Sequence, residues 1–195
     1  MGVAIRRARQ EDREIVARLL DEAFLEDPVT LWLFPDEADR RAKNATMMVA
    51  FLDQTLHDGR VDMTEDGAAA ALWIWVPTGH PCDEDGPALI RQAVDPGNER
   101  IELVGRLVDA AHPRRRAHEY LQLVAVAPDR QGEGLGGALI RATLDRCDRE
   151  RQPVYLEAST ERSRGLYERL GFMDMGYTLV LPDGPAMWPM WRDPQ

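Results

Sequence analysis

Apolar positions in the first third of the chain recur at helical spacing. Ile15, Val16, Leu19, Leu20, Ala23 and Phe24 share one face of a helix from Glu11 to Phe24, which follows a short strand from Val3 to Ala8. Asp27-Pro28 ends that helix, because proline has no amide hydrogen and its ring clashes with the preceding turn. Beyond Phe34-Pro35-Asp36, the residues Ala42, Ala45, Val49, Leu52 and Leu56 step by three and four, predicting a second helix to about His57, before Asp58-Gly59. Arg60 to Thr64 and Ala68 to Val76 read as two strands of a hairpin closed by Glu65-Asp66-Gly67. In the second strand Leu72/Ile74/Val76 and Trp73/Trp75 are all apolar, so both faces are expected to be covered and the strand to lie centrally in a sheet.

Pro77 to Asn98 is rich in proline, glycine and acid and predicts a mobile surface loop, with at most a short helix from Ala88 to Val94. A helix from Glu99 to Ala111 buries Ile101, Val104, Val108 and Ala111, and Pro113 stops it ahead of Arg114-Arg115-Arg116, read as a solvated turn. The last third reads as strand Glu119 to Val126, a glycine loop, helix Gly134 to Arg149, strand Val154 to Ala158 and helix Ser163 to Leu170. Two closing strands follow, near Met173 to Leu181 and Met187 to Arg192. There is no internal repeat.

Composition narrows the class. With 195 residues, 44% of them apolar, the chain suits one domain over 1–195 with one sizeable core. A net charge of −10 argues against a nucleic-acid partner and favours cations. The two cysteines, Cys82 and Cys147, lack the spacing of a disulfide framework or a zinc site, so no metal is expected and a reducing cytoplasm fits. Cys147 follows Ile140 and Leu144 at helical spacing and reads as packing; Cys82 has no base partner. No apolar run approaches the roughly 20 residues that span a bilayer, and Met1-Gly2 is not followed by the serine or threonine of a myristoylation signal, so a soluble chain without membrane partners is expected.

Candidate chemistry centres on Gln131-Gly132-Glu133-Gly134-Leu135-Gly136-Gly137, between a strand and a helix. Its glycines remove the side chains that would keep an anion from the amides at the helix start. Gly132, Gly134 and Gly137 also satisfy GxGxxG, with Glu157 about 20 residues on, as in a dinucleotide-binding unit. In that unit the glycines directly follow the strand, whereas here Ala127-Pro128-Asp129-Arg130-Gln131 intervenes, and too little chain follows Gly137 for a doubly wound sheet. A P-loop is excluded because no Lys-Ser or Lys-Thr follows the last glycine.

The string LVAVAPDRQGEGLGGAL resembles motif A of the GNAT superfamily of N-acetyltransferases, with Gln131, Gly134 and Gly136 at the patterned positions. LEASTERSRGLYERLGF resembles motif B, with Tyr167 four residues before Gly171-Phe172. Motif A spans about 119–150 and motif B about 154–172. EDGAAAALWIWVP, HPRRR and LPDGPAMWPMWR are similar to the puromycin N-acetyltransferase branch. The resemblance implies an α/β domain with a mixed, mostly antiparallel sheet flanked by helices and split near the cofactor site. It further implies transfer of an acetyl group from acetyl-CoA to a primary amine of a small molecule by direct attack. Val124, Ala125 and Val126 would hold the pantetheine arm like an added strand, and Gln131, Gly132, Glu133, Gly134, Leu135, Gly136 and Gly137 the pyrophosphate. Tyr167 is implied as the acid that protonates the departing thiolate.

The chain departs from the family pattern at two places. Thr160 stands where many members have asparagine, and offers one hydrogen bond to the cofactor. Where several members carry a basic glutamate the chain has Tyr120, with Glu119 one position away; a bulge would be needed to rotate it inward. Glu119 is taken as the base, with His118, Glu157 and a water route from Glu26 or Asp27 as alternatives. Trp32, Phe34, Trp73 and Trp75 are candidates to line an acceptor pocket, and Asp83-Glu84-Asp85 to attract a cationic acceptor. Other readings are a protein N-terminal or lysine acetyltransferase and a non-catalytic acyl-CoA-binding module, as monomer or homodimer.

Overall fold

The architecture comes from a computed structural model that describes residues 3–195; Met1-Gly2, and with them the reading of a myristoylation signal, lie outside the described residues. In chain order the elements are β1 (Ile5–Arg7), α1 (Arg13–Phe24), α2 (Pro28–Leu33), α3 (Glu37–Asp58), β2 (Arg60–Thr64), β3 (Ala69–Val76), α4 (Gly86–Val94) and α5 (Glu99–Ala111). They continue as β4 (His118–Val126), α6 (Leu135–Arg149), β5 (Val154–Ala158), α7 (Glu161–Arg169), β6 (Met173–Asp174), β7 (Leu179–Val180) and β8 (Ala186–Arg192). The strand order is β1-β2-β3-β4-β5-β8-β6, with β7 on β8, and every pairing is antiparallel except β4 with β5. This is a single α/β domain whose mixed sheet carries helices on both faces, as expected.

One face of the sheet packs Leu72, Ala125 and Met187 against Val16, Leu20, Met48, Leu52 and Ile101 of α1, α3 and α5. The other packs Trp73, Leu121, Val154 and Leu156 against Leu139, Ile140 and Leu144 of α6 and Tyr167 of α7. Strand β3 is central, and its pure apolar run buries almost all of it, but Trp75 is 44% exposed, so the expectation that both faces are covered fails at its C-terminal end. No helix among the described residues is long and apolar enough to cross a membrane.

Several sequence expectations are refined. Asp27-Pro28 ends α1 but also starts α2: Asp27 caps it by accepting from the Val29 amide at 2.9 Å, and proline occupies the first turn, where no amide donor is required. Within Pro77 to Asn98 the expected short helix is present and starts two residues earlier, at Gly86; α4 lies against α5 where Gly105 has no side chain, and a Cβ there would stand 2.8 Å from Pro87 Cβ. The first closing strand divides into β6 and β7 around Gly176, whose φ of +83° is incompatible with strand pairing. The arginines before β4 are held rather than merely solvated at two positions: Arg114 pairs with Asp109 at 2.8 Å and Arg116 with Asp193 at 2.7 Å.

Candidate active site

The site is built where β4 and β5 separate. Their parallel pairing is confined to Glu119 with Val154 and Tyr120 with Tyr155. From Leu121 onward β4 pairs with β3 alone. The β3–β4 register slips between Leu72/Leu123 and Trp73/Leu121, which leaves Gln122 as an extra residue, a β-bulge. The Gln122 side chain turns to α3, where its Oε1 accepts from Thr55 at 2.8 Å.

The bulge sets the phase of everything after it. The Glu119 amide points to the β5 side, bonding the Pro153 carbonyl at 3.0 Å, whereas the Ala127 amide points to β3, bonding the Ala68 carbonyl at 2.8 Å. Alternation back from Ala127 turns Ala125 toward β3, and Val124 and Val126 toward the gap. In an unbulged strand the odd-numbered residues would face the gap instead. Two consecutive outward backbone positions are thus left at an unpaired edge, which a ligand with amide groups can complete as a strand would.

The gap leads to the start of α6. Gly132 and Gly134 adopt φ of +91° and +83°, and nothing stands within 4 Å of where a Cβ would project from either. Gly134 is the N-cap and supplies no side-chain acceptor, so the first-turn amides of Leu135, Gly136 and Gly137 have no capping partner. Gly136 lets the helix close on the strand: its Cβ would lie 3.3 Å from Val126 Cγ2 and 3.9 Å from Val124 Cγ2. Unsatisfied amides and the positive end of the macrodipole suit an anion there. Gln131 is reached by Arg162 at 3.4 Å, and Glu133 pairs with Arg130 at 2.7 Å. Thr160 caps α7, its Oγ1 accepting from the Ser163 amide at 3.0 Å, so its oxygen is already engaged.

Tyr167 is buried between α6, α7 and β5, edge-on to Phe172. Burial, reinforced by the Asp27 carboxylate, raises its phenol above the ordinary value, so it carries its proton at any physiological pH. Asp27 is itself pushed up by burial, although Ser159 donates to it at 2.7 Å.

The base candidates separate cleanly. Glu119 lies on the α6 face and is held by Arg146, with Arg60 at 3.9 Å. Arg146 is in the last turn of α6, about 18 Å along the helix from Gly134 at 1.5 Å per residue. The bulge follows Glu119 and does not rotate it inward. Tyr120 faces the other side of the sheet, where its hydroxyl donates to Glu157 at 2.9 Å. His118 bonds the Arg116 carbonyl through Nδ1 at 2.8 Å and His112 through Nε2 at 3.0 Å. Because a carbonyl only accepts, His118 carries hydrogen on Nδ1, and His112 donates from its Nε2. Burial pushes His112 down to about 3. Glu26 is exposed and pairs with Arg40 at 3.5 Å. Glu157 differs from all of these: its buried Oε1 has no partner, and burial pushes its carboxyl up to about 7.

The four aromatics expected to line one pocket are divided. Trp32 and Phe34 lie in the α1–α3–α5 core, Trp73 on the α6 face, and Trp75 is exposed. The rings around Glu157 are instead Tyr120, Tyr155 and His112, with centroids 4.8 to 5.8 Å apart. Sequence reading missed Tyr155 and His112; alternation along β5 puts Tyr155 on the same face as Glu157, but nothing local brings His112 there. Asp83 bonds the Gly86 amide at 2.8 Å, at the start of α4. Cys147 is buried and raised to about 11, and Cys82 is exposed.

A mixed sheet splayed beside a glycine-rich helix start is the arrangement of the GNAT fold. Residues 92–174 match the family profile described as an acetyltransferase (GNAT) domain. It is 27% identical to an uncharacterized N-acetyltransferase, C550.08, of Schizosaccharomyces pombe, over 88% of this chain and 74% of that one. A Corynebacterium glutamicum structure titled histone acetyltransferase HPA2 and related acetyltransferase superposes with a TM-score of 0.76 at 27% identity, covering 100% of this chain and 98% of the other. A polyamine N-acetyltransferase of Drosophila melanogaster shares the fold, with a TM-score of 0.66 at 18% identity over 98% and 100% of the two chains.

Proposed function

We propose that the protein transfers the acetyl group of acetyl-CoA to a primary amine of a small molecule. The observation that carries this reading is the continuity of the unpaired β4 edge with the uncapped amides of α6. Val124 and Val126 offer backbone groups to the amide-bearing pantetheine arm, and Gly132 to Gly137 offer amides to the pyrophosphate. Ala125 sits between these valines with its side chain in the opposite core, setting their spacing. The amine nitrogen attacks the thioester carbonyl carbon, the C–S bond breaks, and Tyr167 supplies a proton to the departing sulfur. Tyr167 then recovers a proton from the acylated nitrogen.

A small cationic acceptor suits a chain of net charge −10 whose acceptor side holds Asp27 and Glu157 in buried positions. The polyamine acetyltransferase that shares the fold acts on such amines. The test is thiol release from acetyl-CoA across a panel of aliphatic and aromatic primary amines, with a peptide N-terminus and a peptide lysine as comparators. Turnover on small amines, weakened as salt rises, is the expected result. Turnover confined to the peptides, or acetyl-CoA binding without turnover, would replace this reading.

A further inference from the structure

Resting on that reading, we propose that Glu157 is the general base, that Tyr120 is its positioning residue, and that the two with Tyr155 form the socket that receives the acceptor's ammonium group. The geometry is specific. Tyr120 and Tyr155 are the last paired residues before the strands part. Glu157 lies two residues further along β5 on the Tyr155 face, about 6.6 Å into the gap at 3.3 Å per residue. One carboxylate oxygen is fixed by the Tyr120 hydroxyl at 2.9 Å, while Oε1 and the Tyr155 hydroxyl are both buried without a partner. A buried carboxylate oxygen and a buried hydroxyl, each without a hydrogen bond of good geometry, cost free energy unless a ligand completes them. An ammonium group, with three donors and a positive charge, satisfies both.

The surroundings favour proton transfer over a permanent ion pair. The groups that face Glu157 are phenols, Tyr120 from β4, Tyr155 from β5 and Tyr177 from the β6–β7 connection. His112, at the end of α5, packs edge-on to the first two rings, and His118 lies behind it; both imidazoles are held toward the neutral form, chiefly by burial. From β8 the paired residue is Pro189. Tyr177 closes the outer side by donating to the Ala111 carbonyl at 2.9 Å. No cation among the described residues offsets the desolvation of Glu157, and this raises its carboxyl toward neutrality, with the nearby Tyr155 and Tyr120 hydroxyls and a backbone amide pulling it back. An ionised Glu157 takes one proton from the bound R–NH3⁺, giving R–NH2 and a neutral carboxyl. The freed lone pair attacks, Tyr167 handles the sulfur and nitrogen protons, and Glu157 returns its proton to water after product leaves, which balances one H⁺ released per acetyl transferred.

The test combines kinetics with direct titration. In the wild type, kcat/KM on the best amine of the panel is expected to rise with pH along a limb near neutrality. Glu157→Gln should erase that limb and lower kcat at least 100-fold, with acetyl-CoA affinity within 3-fold of wild type as evidence of folding. Tyr120→Phe removes a hydrogen bond to the ionised form, so it should move the limb to higher pH rather than erase it. Carbon-detected NMR of protein labelled at glutamate carboxyls, assigned by Glu157→Gln, should show Glu157 titrating near neutrality, and higher in Tyr120→Phe. Titration of Glu157 with the ordinary glutamates, or an intact pH limb in Glu157→Gln, would overturn the assignment while leaving the acetyltransferase reading in place. Absence of thiol release from wild type with every amine would overturn both.

Discussion

Glu119 and Tyr120 are neighbours in sequence and act on opposite faces of the sheet: the first is held by Arg146 of α6, the second donates to Glu157 of β5. A glutamate at 119 therefore serves the packing of α6 against the sheet, and the carboxylate proposed to serve the acceptor lies on another strand, β5.

Glu119→Gln should reveal that division. The substitution removes the buried carboxylate between Arg146 and Arg60 and leaves them paired only with Glu150 and Asp62, so stability should fall by about 1–3 kcal/mol. The pH dependence of kcat/KM should keep its midpoint. Urea unfolding followed by fluorescence, with a kinetic pH series on the same protein, checks both; a displaced kinetic limb would return the base to Glu119.

Tyr167→Phe keeps the buried ring against Phe172 and removes only the hydroxyl. Turnover should fall roughly 100-fold or more while the acetyl-CoA dissociation constant stays within a few-fold, as expected of a proton donor. Single-turnover rates and calorimetry measure the two separately. An unchanged chemical step would make Tyr167 a packing residue.

Gly134→Val should abolish acetyl-CoA binding. The φ of +83° disfavours a β-branched residue, and the added side chain projects into the open space above the α6 amides, where the pyrophosphate is proposed to sit. Calorimetry on a variant shown to be folded by circular dichroism decides it, and undiminished binding would remove the glycine loop from the proposed site.

His112 makes stability pH-dependent. Its imidazole is neutral in the folded chain down to about 3, whereas the unfolded chain binds a proton below the ordinary value of 6.5. Proton uptake on unfolding lowers stability as pH falls from 6.5 toward 3, and at pH 5 this amounts to about 2 kcal/mol. Above pH 6.5 the group contributes no dependence. His112→Asn should flatten the loss between pH 6.5 and 5, read from urea midpoints at matched ionic strength. An equal slope in both proteins would assign the dependence to other groups.

Sequence alone determined the features that depend on neighbours along the chain. Helical spacing of Val16, Leu19 and Leu20, the turn at Glu65-Asp66-Gly67 and the alternation in β5 each act over a few residues, and α5, β2 and β5 fall within the predicted limits. Gly132 and Gly134 advertise positive φ because only glycine tolerates it freely, so the proposed anion cradle was legible too. Tyr167, the proposed acid, was suggested by the resemblance to motif B, four residues before Gly171-Phe172. Tertiary structure decided the rest, because it depends on partners distant in sequence. The bulge at Gln122 exists through the register with β3, and no local pattern in HEYLQLVAV encodes it; yet it sets which backbone groups face the gap and leaves Glu119 with α6. The state of Glu157 comes from burial under residues of β4, α5 and the β6–β7 connection, since desolvation is a property of the assembled environment and not of the side chain itself.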